Sequence, residues 1–392
     1  MSTFNKWFHT IVIAITIIHV SVCSLFFEQT SIWKYLTYLC EFNFIIVLCQ
    51  YIIKIKSVNS IERLSIIYFV FILVVSILYG LDFSNINTLF GRALEIATVI
   101  MIFRLNQDNP ISLLFSAAIT LSIAVYVNAY YLSLFPDGFP NPSDEHPFYF
   151  LGTNYNQIGP KIVMAYMFTA ILFEKYRFLF VNMLLLTIVG IWTLLLVDSM
   201  TSTVAFILLI IVLFISKKAF LKKTIAYGLV FFIIFFQLFV VFIGSSINSS
   251  LITDFIDFIG KDNTFTGRTE LWGYSSGYFL DSPIWGHGYI SSDNYAHSGY
   301  FHGKQQGSHN YIYNTLHKGG IILLLLVFSL FKKGYSQIKR YLNYNSAFAI
   351  VFSSLAFFLM MLFEYYEALF VFFLIILMYY YPSIHQQLEM KK

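Results

Sequence analysis

Run after run of this chain stays apolar for about 20 residues at a stretch, the length a helix needs to cross a bilayer. Inside lipid a backbone must satisfy its own hydrogen bonds, so such runs fold as helices or not at all. Of the 392 residues, 58% are apolar and only 11% charged, with mean hydropathy +0.72. A water-soluble domain carries about a quarter charged residues, so a soluble surface is excluded. The sequence reads as an all-α polytopic membrane protein of about 12 transmembrane helices. They are expected near 7–27, 35–53, 63–81, 89–105, 111–134, 158–174, 178–197, 201–216, 223–245, 310–331, 346–364 and 367–381. "MSTFNKWFHTIVIAITIIHV" has an early Lys6 and no small-residue cleavage site, so it is expected to be a permanent first span. Cys23, Cys40 and Cys49 all fall inside apolar runs, where neither a disulfide nor a thiolate metal site is expected.

The connections between runs alternate in charge. Lys6, Lys54, Lys56, Arg63, Arg104, Lys175, Arg177, the lysines at 217, 218, 222 and 223, and Lys332, Lys333, Lys339 and Arg340 fall on one side with the terminal Lys391 and Lys392. The positive-inside rule makes that side cytoplasmic, with both termini inside. The formal charge of +4 therefore reports topology, and no nucleic-acid partner is implied. Residues 1–245 would hold helices 1–9 with a short external segment at 135–157. Residues 246–308 would form one large external segment between helices 9 and 10, and 309–392 would hold helices 10–12. A connection that long is usually functional or disordered, and its Trp, Tyr, Phe and Gly content argues for order.

The remaining basic residues are Lys34, Arg92, Lys161, Lys261, Arg268, Lys304 and Lys318, all on the expected outer side. Lys34 and Lys261 read as solvated charges. Arg92, Lys161 and Lys318 fall just inside helix mouths, where a charge is costly and is a functional candidate by default. The plain alternative is snorkelling of each long side chain to the headgroups. In the large external segment, Arg268, Leu271, Trp272, Ser275 and Phe279 share helical spacing, and Asp281-Ser282-Pro283 stops that helix. Its Arg268 suits an anionic phosphate, or the helix simply lies in the interface anchored by Trp272. Gly286-His287-Gly288 is expected to be a tight, exposed turn.

"GSHNYIYNTLHKGG" at 307–320 then leads into "IILLLLVFSLF". Ser308 is expected to cap the tenth helix, with His309 in its first turn. There the positive end of the helix would keep an imidazole neutral and able to accept a proton, and would also attract phosphate. His309, Tyr313 and His317 would share one face, with Asn310 and Asn314 on the next. His287, His297, His302 and His309 match no metal-ligand spacing, so no metal is expected. The chain has no phosphate-binding glycine loop, no nucleophile elbow and no HExxH.

The ordered string "GRTELW…DSPIWGHGY…SHNYIYNTLHKGGI" resembles the outer-loop signature of the O-antigen polymerase (Wzy-like) and O-antigen ligase superfamily. Arg268, Trp272, Pro283, Gly286, Gly288, His309, Asn310 and the Gly319–Gly320 pair fill its positions, and Asn156 in "GTNYNQIG" resembles the family's asparagine at a middle span. Two positions depart from the pattern. Met200 in "VDSMTSTVAF" stands where members often carry arginine, and Lys318 stands where many carry an acidic or neutral residue. Lys318, Lys161 or Arg92 would then substitute in holding phosphate.

The resemblance implies a GT-C-like membrane glycosyltransferase, inverting and metal-independent, with no cofactor. It would act in a bacterial inner membrane with its site on the periplasmic face. Its substrate would be an undecaprenyl-pyrophosphate-linked oligosaccharide, with a chain-length regulator and a flippase as pathway partners. His309 would be the base and Arg268 a pyrophosphate ligand, while Arg92, Lys161, Asn156, Asn310, Tyr313, Lys318 and His287 would bind substrate. The leading expectation is a repeat-unit polymerase for O-antigen or capsule polysaccharide. The alternative is an O-antigen ligase joining finished glycan to lipid A-core or protein. A polysaccharide flippase is more distant, because transporters gather polar, broken helices near the midplane in repeated halves.

Overall fold

A computed structural model describes residues 3–27, 31–80, 83–140, 147–214, 219–243, 263–289, 300–301, 304–305, 308–366 and 368–389, with backbone alone for 3, 83–85, 219–220, 243, 263–270, 300–301, 304–305 and 368. Every expected span coincides with a helix. In chain order these are α1 (Thr3–Ser21), α2 (Ile32–Lys54), α3 (Ser60–Leu78), α4 (Phe83–Leu105), α5 (Ile111–Leu134) and α6 (Ile158–Phe173). There follow α7 (Phe180–Leu196), α8 (Met200–Phe214) and α9 (Ala219–Phe235), the last continued by π-helical turns over Phe236–Ile243. After α10 (Asn263–Asp281) and an antiparallel pair, β1 (Tyr300–Phe301) and β2 (Lys304–Gln305), come α11 (Tyr311–Ile338), α12 (Asn345–Met361), α13 (Ala368–Tyr379) and α14 (Tyr381–Glu389). Among the described residues, seven helices are long and apolar enough to cross a membrane, or eight if the α13–α14 pair, bent by 60°, is counted as one span. The chain is a polytopic membrane protein.

The apolar pattern sorts the helices into a centre and a rim. Every residue of α6 from Ile158 to Leu172 is buried, and α13 is buried along nearly its whole described length. A helix apolar all round has no face to give to water and belongs in such a centre. α5, α7, α8 and α12 pack around α6, while α3, α4 and α11 pack around α13 and its neighbours. By contrast α2, α7 and α9 turn large side chains such as Ile45, Ile53, Leu195 and Phe231 outwards. Exposed apolar surface of that extent is what lipid contact requires.

The longest helix, α11, is broken at Gly319 and Gly320, where φ/ψ are −156°/19° and 59°/−159°. A break frees backbone groups that lipid cannot satisfy, and the segment after α10 takes them up. The amides of His287 and Gly288 donate to the carbonyls of His317 (2.6 Å) and Lys318 (3.2 Å). In return the amides of Ile321 and Ile322 donate to the carbonyls of Pro283 (2.8 Å) and Ile284 (3.4 Å). The Gly286–Gly288 turn is therefore buried against α11 instead of exposed. A Cβ on Gly286 would meet the Gly319 nitrogen at 2.5 Å, and one on Gly320 would run into the Ile284 backbone. The Gly320 conformation is essentially closed to other residues, at a cost of about 1–3 kcal/mol. Gly320→Ala is therefore expected to lower the thermal unfolding midpoint of the detergent-solubilised protein by several degrees. An unchanged melting curve would mean that the backbone interlock is not required for the fold.

Candidate functional site

The break in α11 aims Lys318 into a cavity of about 1040 Å³. Its walls come from α1, α2, α3 and α4, the start of α6, Tyr289 of the docked segment, and Tyr365, Tyr366 and Phe370 before and within α13. Arg92, Lys161 and Lys318, which lie far apart in sequence, all line it. Two of them are not snorkelling: Lys161 is 5% exposed and Lys318 is 7% exposed. The Lys161 ammonium donates to the Leu151 carbonyl. The Lys318 ammonium donates to the Tyr365 hydroxyl at 3.1 Å and lies 4.3 and 4.7 Å from the ring centres of Tyr365 and Tyr289. Phenol rings stabilise a cation through their faces while contributing no full negative charge.

A second constellation stands one residue back from the cavity wall. His309 Nδ1 faces Glu364 Oε2 at 3.1 Å, and Glu364 Oε1 accepts from the Asn156 amide at 2.6 Å. Glu364 and Asn156 precede the cavity residues Tyr365 and Gln157 in sequence, and Tyr311, two residues after His309, stacks on Tyr365 at 6.1 Å. The His309 side chain is 31% exposed, against 10% for Glu364. His309 has φ 44°, a left-handed conformation uncommon for a residue with a Cβ and found where function demands it. When Nδ1 carries the proton that Glu364 accepts, Nε2 is left as a proton acceptor.

Histidine 19 makes the contrast. Its Nδ1 lies 2.6 Å from Glu95 Oε1 and its Nε2 lies 3.1 Å from Thr37 Oγ1. The Thr37 hydroxyl has one proton, which it donates to the Trp33 carbonyl, so its oxygen accepts from Nε2–H. Both ring nitrogens of His19 are thus engaged. Arg92 reaches the other Glu95 oxygen at 3.3 Å. His19 lines the cavity and has no nitrogen left to act as a base.

Other expected site residues sit elsewhere. α11 begins two residues later than expected: Asn310, not Ser308, is its N-cap, accepting from the amides of Ile312 and Tyr313 at 3.0 Å. His309 therefore precedes the helix and does not share a face with Tyr313 and His317. Asn310 is fully buried, and its amide also donates to Gln237 and to the Leu362 carbonyl, each at 3.0 Å. Tyr313 is fully buried edge-on to Phe242. Neither lines the cavity. His287 stacks on Tyr278 at 4.0 Å with its Nε2 on the Tyr278 carbonyl, and His317 meets the same ring edge-on at 5.0 Å. Burial pushes the Tyr278 phenol up to about 12, so the ring between the two imidazoles is neutral. Trp272 is no interfacial anchor: it is fully buried, and its indole N–H donates to the Ser308 carbonyl at 3.1 Å, just before His309. Arg268 falls in α10, and its side chain lies outside the described residues, as do His297 and His302.

The residue that sequence reasoning passed over is Glu364. Its signal was present, since an acidic residue at the end of an apolar span is a functional candidate in its own right. A comparison with curated proteins gave no match. Residues 182–328, running from α7 into α11, match the family model described as O-antigen ligase. Over that stretch the chain is similar to the O-antigen ligase family, in agreement with the O-antigen polymerase and ligase superfamily that its motifs resemble.

Proposed function

We propose that the protein is a polysaccharide polymerase that transfers glycan repeat units from undecaprenyl pyrophosphate to a sugar hydroxyl of another lipid-linked unit, on the outer face of the inner membrane. The matched family covers O-antigen ligases and polymerases, membrane glycosyltransferase-like enzymes. The observation that carries the reading is His309, whose Nδ1 is oriented by Glu364, the residue before Tyr365 in the wall of a cavity lined by Arg92, Lys161 and Lys318.

Each group has a role in an inverting displacement. His309 Nε2 takes the proton of the acceptor hydroxyl as its oxygen bonds to the anomeric carbon. The bond from that carbon to the phosphate oxygen breaks, and the electron pair leaves with the pyrophosphate. Lys161, Lys318 and Arg92 stabilise that leaving charge, as fixed cations in a cavity of low dielectric do best. Glu364 holds the His309 ring and stabilises the imidazolium formed, and Asn156 holds Glu364. Arg268 adds a further phosphate ligand from α10.

The test is depletion of the protein in its own cells, followed by analysis of the surface glycan. Loss of a polymerase leaves single repeat units on the carrier and at the surface. Finished polymer accumulating on the carrier would identify a ligase instead, and units trapped on the cytoplasmic side would identify a flippase.

A further inference from the structure

The cavity has two chemically different walls. Lys161 and Lys318 belong to the α6 and α11 side, with Tyr289 and Tyr365 around the Lys318 ammonium. Across it, α1, α2 and α4 present the carboxylates of Glu41 and Glu95, the Thr37 hydroxyl and the held imidazole of His19. A side crevice of about 50 Å³ continues from this second wall, lined by Glu41, Glu95, His19 and the hydroxyls of Thr16, Thr37 and Thr98. Arg92, which lines the main cavity from α4, is engaged by Glu95.

Glu41 is the residue that the fold does not explain. It lies nine residues below the start of α2, about 14 Å along the helix and so well into the hydrocarbon core. α2 is a rim helix, and Glu41 is exposed like much of it. Among the described residues Glu41 has no hydrogen-bond or ion-pair partner, although it lines both the cavity and the crevice. A carboxylate at that depth is expensive and marks a ligand path by default. Its charge repels a diphosphate, so the group it faces must donate hydrogen bonds. Hydroxyl and amide N–H groups of a sugar do so, and hydrogen bonds to a charged acceptor are the strong kind.

The geometry points to the α1–α2–α4 wall as the subsite for the sugar ring joined to the diphosphate, with Glu41 as its specificity-determining residue. The inference rests on the glycan-transfer reading above. A diphosphate against Lys161 and Lys318 then places the sugar attached to it opposite, against Glu41.

Binding tests this without requiring turnover. The full-length protein in nanodiscs is titrated with undecaprenyl pyrophosphate carrying the cell's own repeat unit, and separately with sugar-free undecaprenyl pyrophosphate. Glu41→Ala and the isosteric Glu41→Gln are expected to weaken binding of the sugar-bearing carrier about tenfold. Binding of the sugar-free carrier should stay within about twofold, since that ligand makes no contact with a sugar-selective wall. Equal losses for both ligands, or no loss for either, overturn the assignment. A wild-type protein that separates the two ligands through Glu41 yet never transfers glycan leaves the subsite standing and removes the polymerase reading.

Discussion

His309→Ala lowers glycan transfer by about 100- to 10,000-fold, the range contributed by a positioned acid–base group, with membrane insertion and thermal unfolding unchanged. The second half of that expectation follows from where the side chain sits. The imidazole is about one-third exposed and precedes α11, whose start is capped by the neighbouring Asn310. Its removal leaves no cavity in the core and no uncapped helix end. Glu364→Gln gives a graded result. The amide can still approach Nδ1 and Asn156, but it has no charge with which to stabilise an imidazolium, so kcat falls while KM for the lipid-linked unit holds. The measurement is single-turnover transfer between purified lipid-linked repeat units. If polymer yield and chain length from His309→Ala matched the wild type, His309 would not be the base, and the Glu364 contact would be structural.

What was legible in the sequence follows the range over which each feature is determined. The apolar run at Ile111–Leu134 and the helix found there have the same ends, because a span in lipid is fixed by its own length and composition. The α10 helix stops at Asp281, where the Asp-Ser-Pro run predicts it. The start of α11 was less legible because Ser308 and Asn310 are both good N-caps. The deciding contacts are tertiary: the Asn310 amide also satisfies Gln237 and the Leu362 carbonyl, which only the folded chain brings near. The His309 carboxylate partner lies 55 residues further on, beyond any local pattern. The Gly319–Gly320 pair stands out in the sequence, but nothing in its neighbourhood announces that Pro283–Gly288 will receive its freed backbone groups. Likewise Arg92, Lys161 and Lys318 each read as a misplaced charge, and their convergence exists only in three dimensions.

That convergence carries the other large effect. Lys318→Met, which keeps the length of the side chain and removes its charge, lowers kcat by about 100- to 1,000-fold, as loss of one preorganised oxyanion donor does. Lys161→Met behaves alike, and both variants bind sugar-free undecaprenyl pyrophosphate more weakly, in contrast to changes at Glu41. Stability separates this from a structural role. Lys318 is 7% exposed and is contacted by two aromatic rings and one hydroxyl. Burying an ammonium costs desolvation free energy that such partners offset only in part, and replacing buried charge by an apolar side chain of similar volume is often neutral or stabilising. The Lys318→Met protein should therefore melt at or above the wild-type temperature while its activity collapses. That inverse pairing is the signature of a charge kept for its ligand at the expense of the fold. A variant that loses stability and activity together would instead place Lys318 among the residues that merely hold α11 to Tyr289 and Tyr365.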